Sequence, residues 1–554
     1  MTINMLSSIF FTVALIQNQL GLNKLEQIVL DISNPTSANY GNYLSNAEIG
    51  KLVAPDASVQ THVFDYLTQQ GFSCELTEIG DAIGCQGPRY LAEKVFLINP
   101  EWTHHNIPSE IAADIDFIDG LTNRVPTKFV EARNSSVTGG NPYPDPGYVG
   151  REVLENLYGL PKGFQAGDIS IAAVEYQGSS GYSNLDLVIS QYENGEKLNP
   201  VNLTVGPNGY PDTETELDLQ MISQAAEGSK IWYIGGTQWL YTLIVKVLNS
   251  TQVPDVMSMS WGWSADQMCT ISKTGPCSNG DSQLYVSRVD SEYMKAGARG
   301  ITILVSSGDA GAPGRTNEQC TNATSQNGRI REVNAAYPGS SPWVTSVGAL
   351  YVVQDSTHPE WNFHSNLCKV NNCTTGTQQA QVNQASVGWT AGGGTTYYQS
   401  TPVWQQSLVT EYLESGTPFP RHFNKSGRFY PDVVALGHNC PTWQNGGLAA
   451  VDGTSCSSPM FAGFVGVLNQ QRITQGKSKL GFLNPLLYHL YATTRGTNRS
   501  VFTDVMEGNN WCTEYMCCPM RQDGGSDFGY LASKGFDAVA GLGIMNVTRA
   551  LEQI

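Results

Sequence analysis

The sequence predicts an α/β protein, a parallel sheet flanked by helices, preceded by a smaller α+β unit. Three observations carry that expectation. Beyond Gly147, apolar runs at Ile169 to Val174, Ile231 to Ile234, Val256 to Ser260 and Ile301 to Ser306 each end in polar or Gly-rich turns, and most are separated by stretches of helical pattern. Buried parallel strands joined by helices read this way. Upstream, from Phe10 to about Gly120, short apolar strands alternate with amphipathic helices. Between the two, Arg133 to Gly147 (RNSSVTGGNPYPDPG) has the Gly, Pro and Ser content of a linker.

Taken in order, Phe10 to Ile16 reads as a strand. Met5 to Ile16 is apolar enough for the core of a signal peptide, but no Lys or Arg precedes it and the first basic residue is Lys24. The true leader is therefore expected to be missing or unusual in this sequence. Leu22 to Ile32 follows as an amphipathic helix. Tyr90 to Ile98 is short enough for a strand, yet Leu91, Val95 and Ile98 fall at helical spacing, and helix is the preferred reading. The boundaries that follow are a unit over residues 1–126, a linker over 127–147 and a main unit over 148–554.

Composition narrows the function. The 554 residues hold 49 acidic and 31 basic side chains, a net charge of −18, which argues against nucleic acid as a partner. Such a chain repels itself at neutral pH and relaxes as carboxylates take up protons, so an acidic workplace fits. Twelve cysteines form no Cys-x-x-Cys and have no His at ligand spacing, so disulfides are favoured over zinc. Sequons at Asn134, Asn202, Asn249, Asn322, Asn372, Asn424, Asn498 and Asn546 fit the same secretory route. No uninterrupted apolar run is long enough to span a membrane.

Three segments carry chemistry. In Gly453-Thr454-Ser455-Cys456-Ser457-Ser458-Pro459, before the apolar stretch Met460 to Leu468, Ser455 sits in a tight turn at a helix start. A serine there is expected to be held exposed, with the helix N-terminus adding positive potential near its oxygen, as suits a nucleophile. Cys456 reads as a packed residue or a disulfide partner. None of the eight histidines has the setting of a serine's base. In Asp212-Thr213-Glu214-Thr215-Glu216-Leu217-Asp218, Glu214 and Asp218 share one helix face and Glu216 points away. A carboxylate base works in acid, where His is protonated. Asp309, in Val305-Ser306-Ser307-Gly308-Asp309, follows a buried strand, where α/β folds build sites.

Together these segments resemble the sedolisin family of serine-carboxyl peptidases, which includes the tripeptidyl-peptidases. Asn34 to Gly41, Tyr337 to Gly348, Tyr430 to Val433 and Phe482 to Pro485 resemble further family blocks, so the likeness runs along nearly the whole chain. The resemblance implies a subtilisin-like catalytic domain behind an N-terminal prodomain that inhibits it, with activation cleavage in the linker. It implies Ser455 as nucleophile, Glu214 as general base, Asp218 as the acid that orients it, and Asp309 as the oxyanion-site acid. Peptide or protein substrates and a secreted, lysosomal or vacuolar zymogen working in acid follow from it. It also implies calcium, held by Asp504 and Asp537 and by the carbonyls of Val505, Ser533 and Gly535, where Ser533 replaces the family's usual Gly. Two alternatives stay open: cutting internally rather than removing tripeptides, and a catalytically silent, calcium-stabilised glycoprotein.

Overall fold

The computed structural model describes residues 8–100, 102, 105–121, 133–135, 150–176, 180–183, 198–236, 239–269, 282–321, 330, 332–354, 378–381, 389–438, 440–444 and 447–554. The chain divides into two compact units. One comprises Met1–Thr127, Gly236–Val253 and Ala265–Ile301. Its sheet runs β2–β3–β1–β4, from β1 (Ser8–Leu15), β2 (Ser73–Leu76), β3 (Ala82–Pro88) and β4 (Ile115–Asp119), all antiparallel neighbours. Phe11, Val13 and Leu15 alternate along β1, so one face buries all three, and Thr12 and Ala14 are buried on the other. Cys74 and Cys85 oppose each other across β2 and β3 and are disulfide-bonded. Of helices α1 (Gln19–Ile32), α2 (Asn46–Val53), α3 (Ala57–Gln69) and α4 (Arg89–Val95), α3 and α4 pack on the sheet while α1 and α2 pack on each other. The α4 residues bear out helix over strand for Tyr90 to Val95, with Ile98 beyond its end.

The same unit holds a buried ionic cluster. Asp81 accepts from Lys295 Nζ at 2.6 Å and from Gln17 Nε2 at 2.6 Å, with Arg288 at 3.4 Å; Glu292 reaches Lys295 at 2.5 Å. Burial works against the Asp81 charge, but these two cations outweigh it and pull its pKa down to about 2.

The other unit comprises Lys128–Gly235, Pro254–Ser264 and Thr302–Ile554. Its strands include β5 (Arg133–Ser135), β6 (Ser170–Glu175), β7 (Val201–Val205), β8 (Lys230–Gly235), β9 (Val256–Met259), β10 (Thr302–Ser306), β11 (Thr345–Gln354), β12 (Val433–Leu436), β13 (Cys440–Gln444) and β14 (Gly447–Asp452). The main sheet has the order Phe502–Thr503, Ile544–Met545, β12, β11, β10, β9, β6, β8, β7, with Gln378–Gln381 beside β11. Neighbours from β12 to β7 are parallel, as the apolar runs predict. Strand order reverses between β6 and β9, and such a switch point leaves a crevice at the strand C-termini.

Two helices of this unit matter most, α5 (Thr213–Ala225) and α6 (Thr454–Thr474). They approach so closely that a Cβ added to Gly463 would lie 2.3 Å from Ala225 Cβ. Helix propensity alone favours Gly463→Ala by about 1 kcal/mol, but overpacking costs about 1–3 kcal/mol. Gly463→Ala is therefore expected to lower the denaturant midpoint, and an unchanged or raised midpoint would show that the helices have room to spare.

Candidate active site

Strand β14 delivers the chain into Gly453, whose φ of +152° suits glycine and where a Cβ would lie 3.3 Å from Asp309 Oδ2. The missing side chain lets the turn after β10 close over the start of α6. Thr454 then donates twice to Asp309 Oδ1, from its amide at 2.8 Å and its hydroxyl at 2.7 Å, and its hydroxyl accepts from Gly308 N at 3.2 Å. Ser455 follows, in the first turn of α6. The expectation of an exposed hydroxyl is corrected: Ser455 is fully buried, beneath the Asp309 turn and beside Glu214.

Asp212 caps α5, accepting from the amides of Glu214 at 3.1 Å and Thr215 at 3.2 Å. One turn apart, Glu214 and Asp218 are both buried, and Asp218 adds negative potential at Glu214. Glu216 does not join them. It accepts from Ser183 N at 2.6 Å and Gln220 Nε2 at 3.1 Å, as expected for a residue on another face of the helix, although it too is buried.

Burial pushes the Glu214 carboxyl well above the usual range; Asp218 and Asp309 add to the rise, and the Ser455 hydroxyl opposes it. Neither Glu214 oxygen nor Ser455 Oγ completes a hydrogen bond of good geometry, a looseness common in a site without substrate. Asp218 is likewise held high by burial, against the Ser260 hydroxyl, which lies 2.9 Å from each of its oxygens. A third carboxyl completes the group. Glu175, at the end of β6, is raised by burial and by Asp218 and Glu214, while Trp261 Nε1 donates to it at 2.7 Å. The acids therefore stand beside a serine at the C-terminal ends of β6, β9 and β10, and no described histidine bonds to Ser455 Oγ.

Comparison with known proteins places the chain in a family. Residues 3–124 match the pro-kumamolisin activation domain and residues 197–482 match the subtilase family. Physarolisin of Physarum polycephalum is 34% identical over 556 residues, covering 96% of this chain and 91% of its own. The chain belongs to the sedolisin family. Tripeptidyl-peptidase 1 of Mus musculus is 27% identical over 548 residues, covering 89% of this chain and 86% of its own. The Pseudomonas sedolisin complexed with two molecules of pseudo-iodotyrostatin shares the fold at a TM-score of 0.53 and 21% identity, over 74% of this chain and 98% of that one. The protein is a sedolisin-type serine peptidase made with an activation domain.

In this sedolisin the serine and acid helices are tied to one hairpin. Cys456 is disulfide-bonded to Cys440 on β13, and Gln220 of α5 accepts from Trp443 N at 2.8 Å and donates to Trp443 O at 2.8 Å. The sequence left the partner of Cys456 open, and it gave no sign of Glu175, Ser260 or Trp261. Each of these lies at a strand end remote from α5 in sequence, and only the sheet brings them together. No described tryptophan or glutamate motif could have marked them.

Near the C-terminus, Asp537 is buried and accepts from Val539 N, Ala540 N and Ser533 N at 2.7 to 2.8 Å. Asp504 accepts from Gly535 N at 2.7 Å. The two segments that carry the expected donors thus meet, and the two carboxyls are near enough to repel each other. Among the described residues no group of three or more His, Cys, Asp and Glu gathers as a metal site. Two carboxylates with carbonyls of Val505, Ser533 and Gly535 fit a hard, oxygen-seeking cation rather than zinc.

The buried acids make stability depend on pH in a definite direction. Glu175, Glu214 and Asp218 have folded pKa values above their unfolded ones, near 4. Their contribution is full below about pH 4 and is lost as pH rises through the raised values. The melting temperature should therefore fall as pH rises above the ordinary carboxylate range, near 4. Glu175→Gln should flatten that fall, each pKa unit being worth about 1.4 kcal/mol. An identical slope in the variant would contradict the assignment.

Proposed function

We propose that this sedolisin hydrolyses peptide bonds in acid with Ser455 as nucleophile and Glu214 as general base. The carrying observation is a buried Glu214 beside the Ser455 hydroxyl, coupled to Asp218 and lacking any other hydrogen-bond partner. Glu214 takes the Ser455 proton as Oγ bonds to the peptide carbonyl carbon, then returns it to the departing amine. Water releases the acyl group by the reverse sequence of proton transfers. Asp218 orients Glu214 and keeps negative potential behind it, which favours the protonated form that follows attack.

Asp309 faces the developing oxyanion. Its Oδ1 is already used by the two Thr454 donors, which leaves Oδ2 to carry a proton toward that charge. An ionised carboxylate here would repel the oxyanion, so the proposed role needs the proton-bearing form of Asp309, while Glu214 must lose its own proton to act as base. Asp309→Asn donates at any pH. It should be slower than wild type in acid yet keep its remaining activity further toward neutrality, read as kcat/KM against pH. Loss over the same alkaline range in both proteins would remove Asp309 from this role. Ser455→Ala should abolish turnover and labelling by a serine-directed fluorophosphonate.

The activation domain serves as the inhibitor of the zymogen, with release by cleavage within 127–147. A secreted, lysosomal or vacuolar location is supported by the net charge of −18, the sequons and the disulfides. Calcium is proposed at Asp504 and Asp537 with the carbonyls of Val505, Ser533 and Gly535, where bound ion stabilises the folded C-terminal segment. A chelator should lower the wild-type melting temperature and leave Asp537→Ala nearly unaffected. No change in the wild type would exclude a structural calcium.

A further inference from the structure

Next to the oxyanion acid lies a cavity of about 40 Å³, measured to the centre of a water, whose lining includes Ser264, Gly308, Asp309, Arg315, Asn334 and Thr454. That is room for roughly three waters or the tip of one polar side chain. Asp309 and Arg315 are the only charged residues among its described lining. Arg315 is mostly buried, its side chain 18% exposed, yet none of its N–H groups makes a hydrogen bond to a described residue. Its nearest counter-charge, Glu514, stands at 3.6 Å, beyond hydrogen-bond reach. Glu318 is a second acid nearby; burial raises its carboxyl and Arg315 opposes the rise. The Arg315 N–H groups therefore remain free to meet a ligand that supplies acceptors, and a charged acceptor is met most strongly.

The ligand's chemistry and position follow. The carbonyl attacked by Ser455 sets its oxygen against Asp309, and the α-carbon of the residue that owns it is one bond from the attacked carbon. Gly308, Asp309 and Thr454 line this cavity, so it opens beside the place where that residue's side chain leaves the α-carbon. A planar guanidinium matches a carboxylate with two parallel hydrogen bonds. We propose that Arg315 selects substrates with an acidic side chain on the residue just before the cut. This rests on the peptidase reading and specifies its substrate.

A separate observation points to the first substrate. β5 pairs antiparallel with β14, with Arg133 opposite Asp452, the residue that leads into Gly453, Thr454 and Ser455. β5 thus enters the pairing from the nucleophile's end, and in sequence Glu131 lies just before Ala132 and Arg133. The linker carries the acid that the cavity selects, and the first activation cut is expected after Glu131.

The test uses matched peptides with Glu, Gln or Leu before the cut, at about pH 5, where a free Glu side chain is mostly ionised. Wild type should favour Glu over Gln by about tenfold or more in kcat/KM, as hydrogen bonds to a charged group allow. Arg315→Met should lose that preference but keep turnover of the Leu peptide, and Arg315→Lys should restore part of it. In the acidified zymogen, Ala132 should become the new N-terminus, and Glu131→Gln should slow its appearance. The proposal is overturned if wild type does not favour Glu, or if Arg315→Met loses all three peptides equally. It is overturned too if Glu131→Gln zymogen matures as fast as wild type. Turnover of none of the peptides by wild type would instead bring down the peptidase reading, and this proposal with it.

Discussion

Three carboxyls, Glu175, Glu214 and Asp218, are held out of water within mutual repulsion, and the rest of the site is arranged around that constraint. Each is costly to ionise alone, and ionising one raises the cost for the others, so their protons leave in steps that belong to the group. A site of this kind has a base only when it has given up some protons and kept others. The Ser260 hydroxyl on Asp218 and the Trp261 indole on Glu175 lower the cost of charge at two of the three positions. Glu214 has no comparable donor except Ser455 itself, so in the proposed mechanism the proton to be moved is the one that the arrangement leaves least settled.

The scaffold supplies the precision that such a group needs. Strand ends of a parallel sheet place Glu175, Ser260 and Asp309, and a tight contact between Gly463 and Ala225 sets the serine helix against the acid helix. A hairpin, joined to one helix through the Cys440–Cys456 disulfide and to the other through Gln220, fixes both from a third side. Thr454 joins the Ser455 turn to Asp309 through two hydrogen bonds to one oxygen, which ties these two segments together.

Much of this was legible in the sequence. Glu214 and Asp218 are a helical turn apart and Ser455 sits in a motif with few other uses, so both signals are local. The parallel strands were legible because burial on both faces leaves continuous apolar runs. What was hidden is whatever the sheet assembles from distant segments: Glu175 on β6, Trp261 after β9, and Arg315 in a loop where a single cation has no pattern to mark it. The burial of Ser455 was misjudged for the same reason, since the Asp309 turn that covers it comes from β10. The Gly, Pro and Ser content that marks the linker gave no hint that Arg133–Ser135 pairs with β14.

The account stands on buried carboxyls that keep protons where ordinary ones have lost them, and infrared spectroscopy reads that directly. In the Ser455→Ala protein, a protonated-carboxyl band should persist as pH rises through about 5 to 6, above the usual carboxylate range, and it should weaken in Glu175→Gln and Asp218→Asn. A carboxyl band that vanishes by about pH 5 in the parent protein, leaving nothing for the variants to remove, would contradict the coupled acid group and the chemistry built upon it.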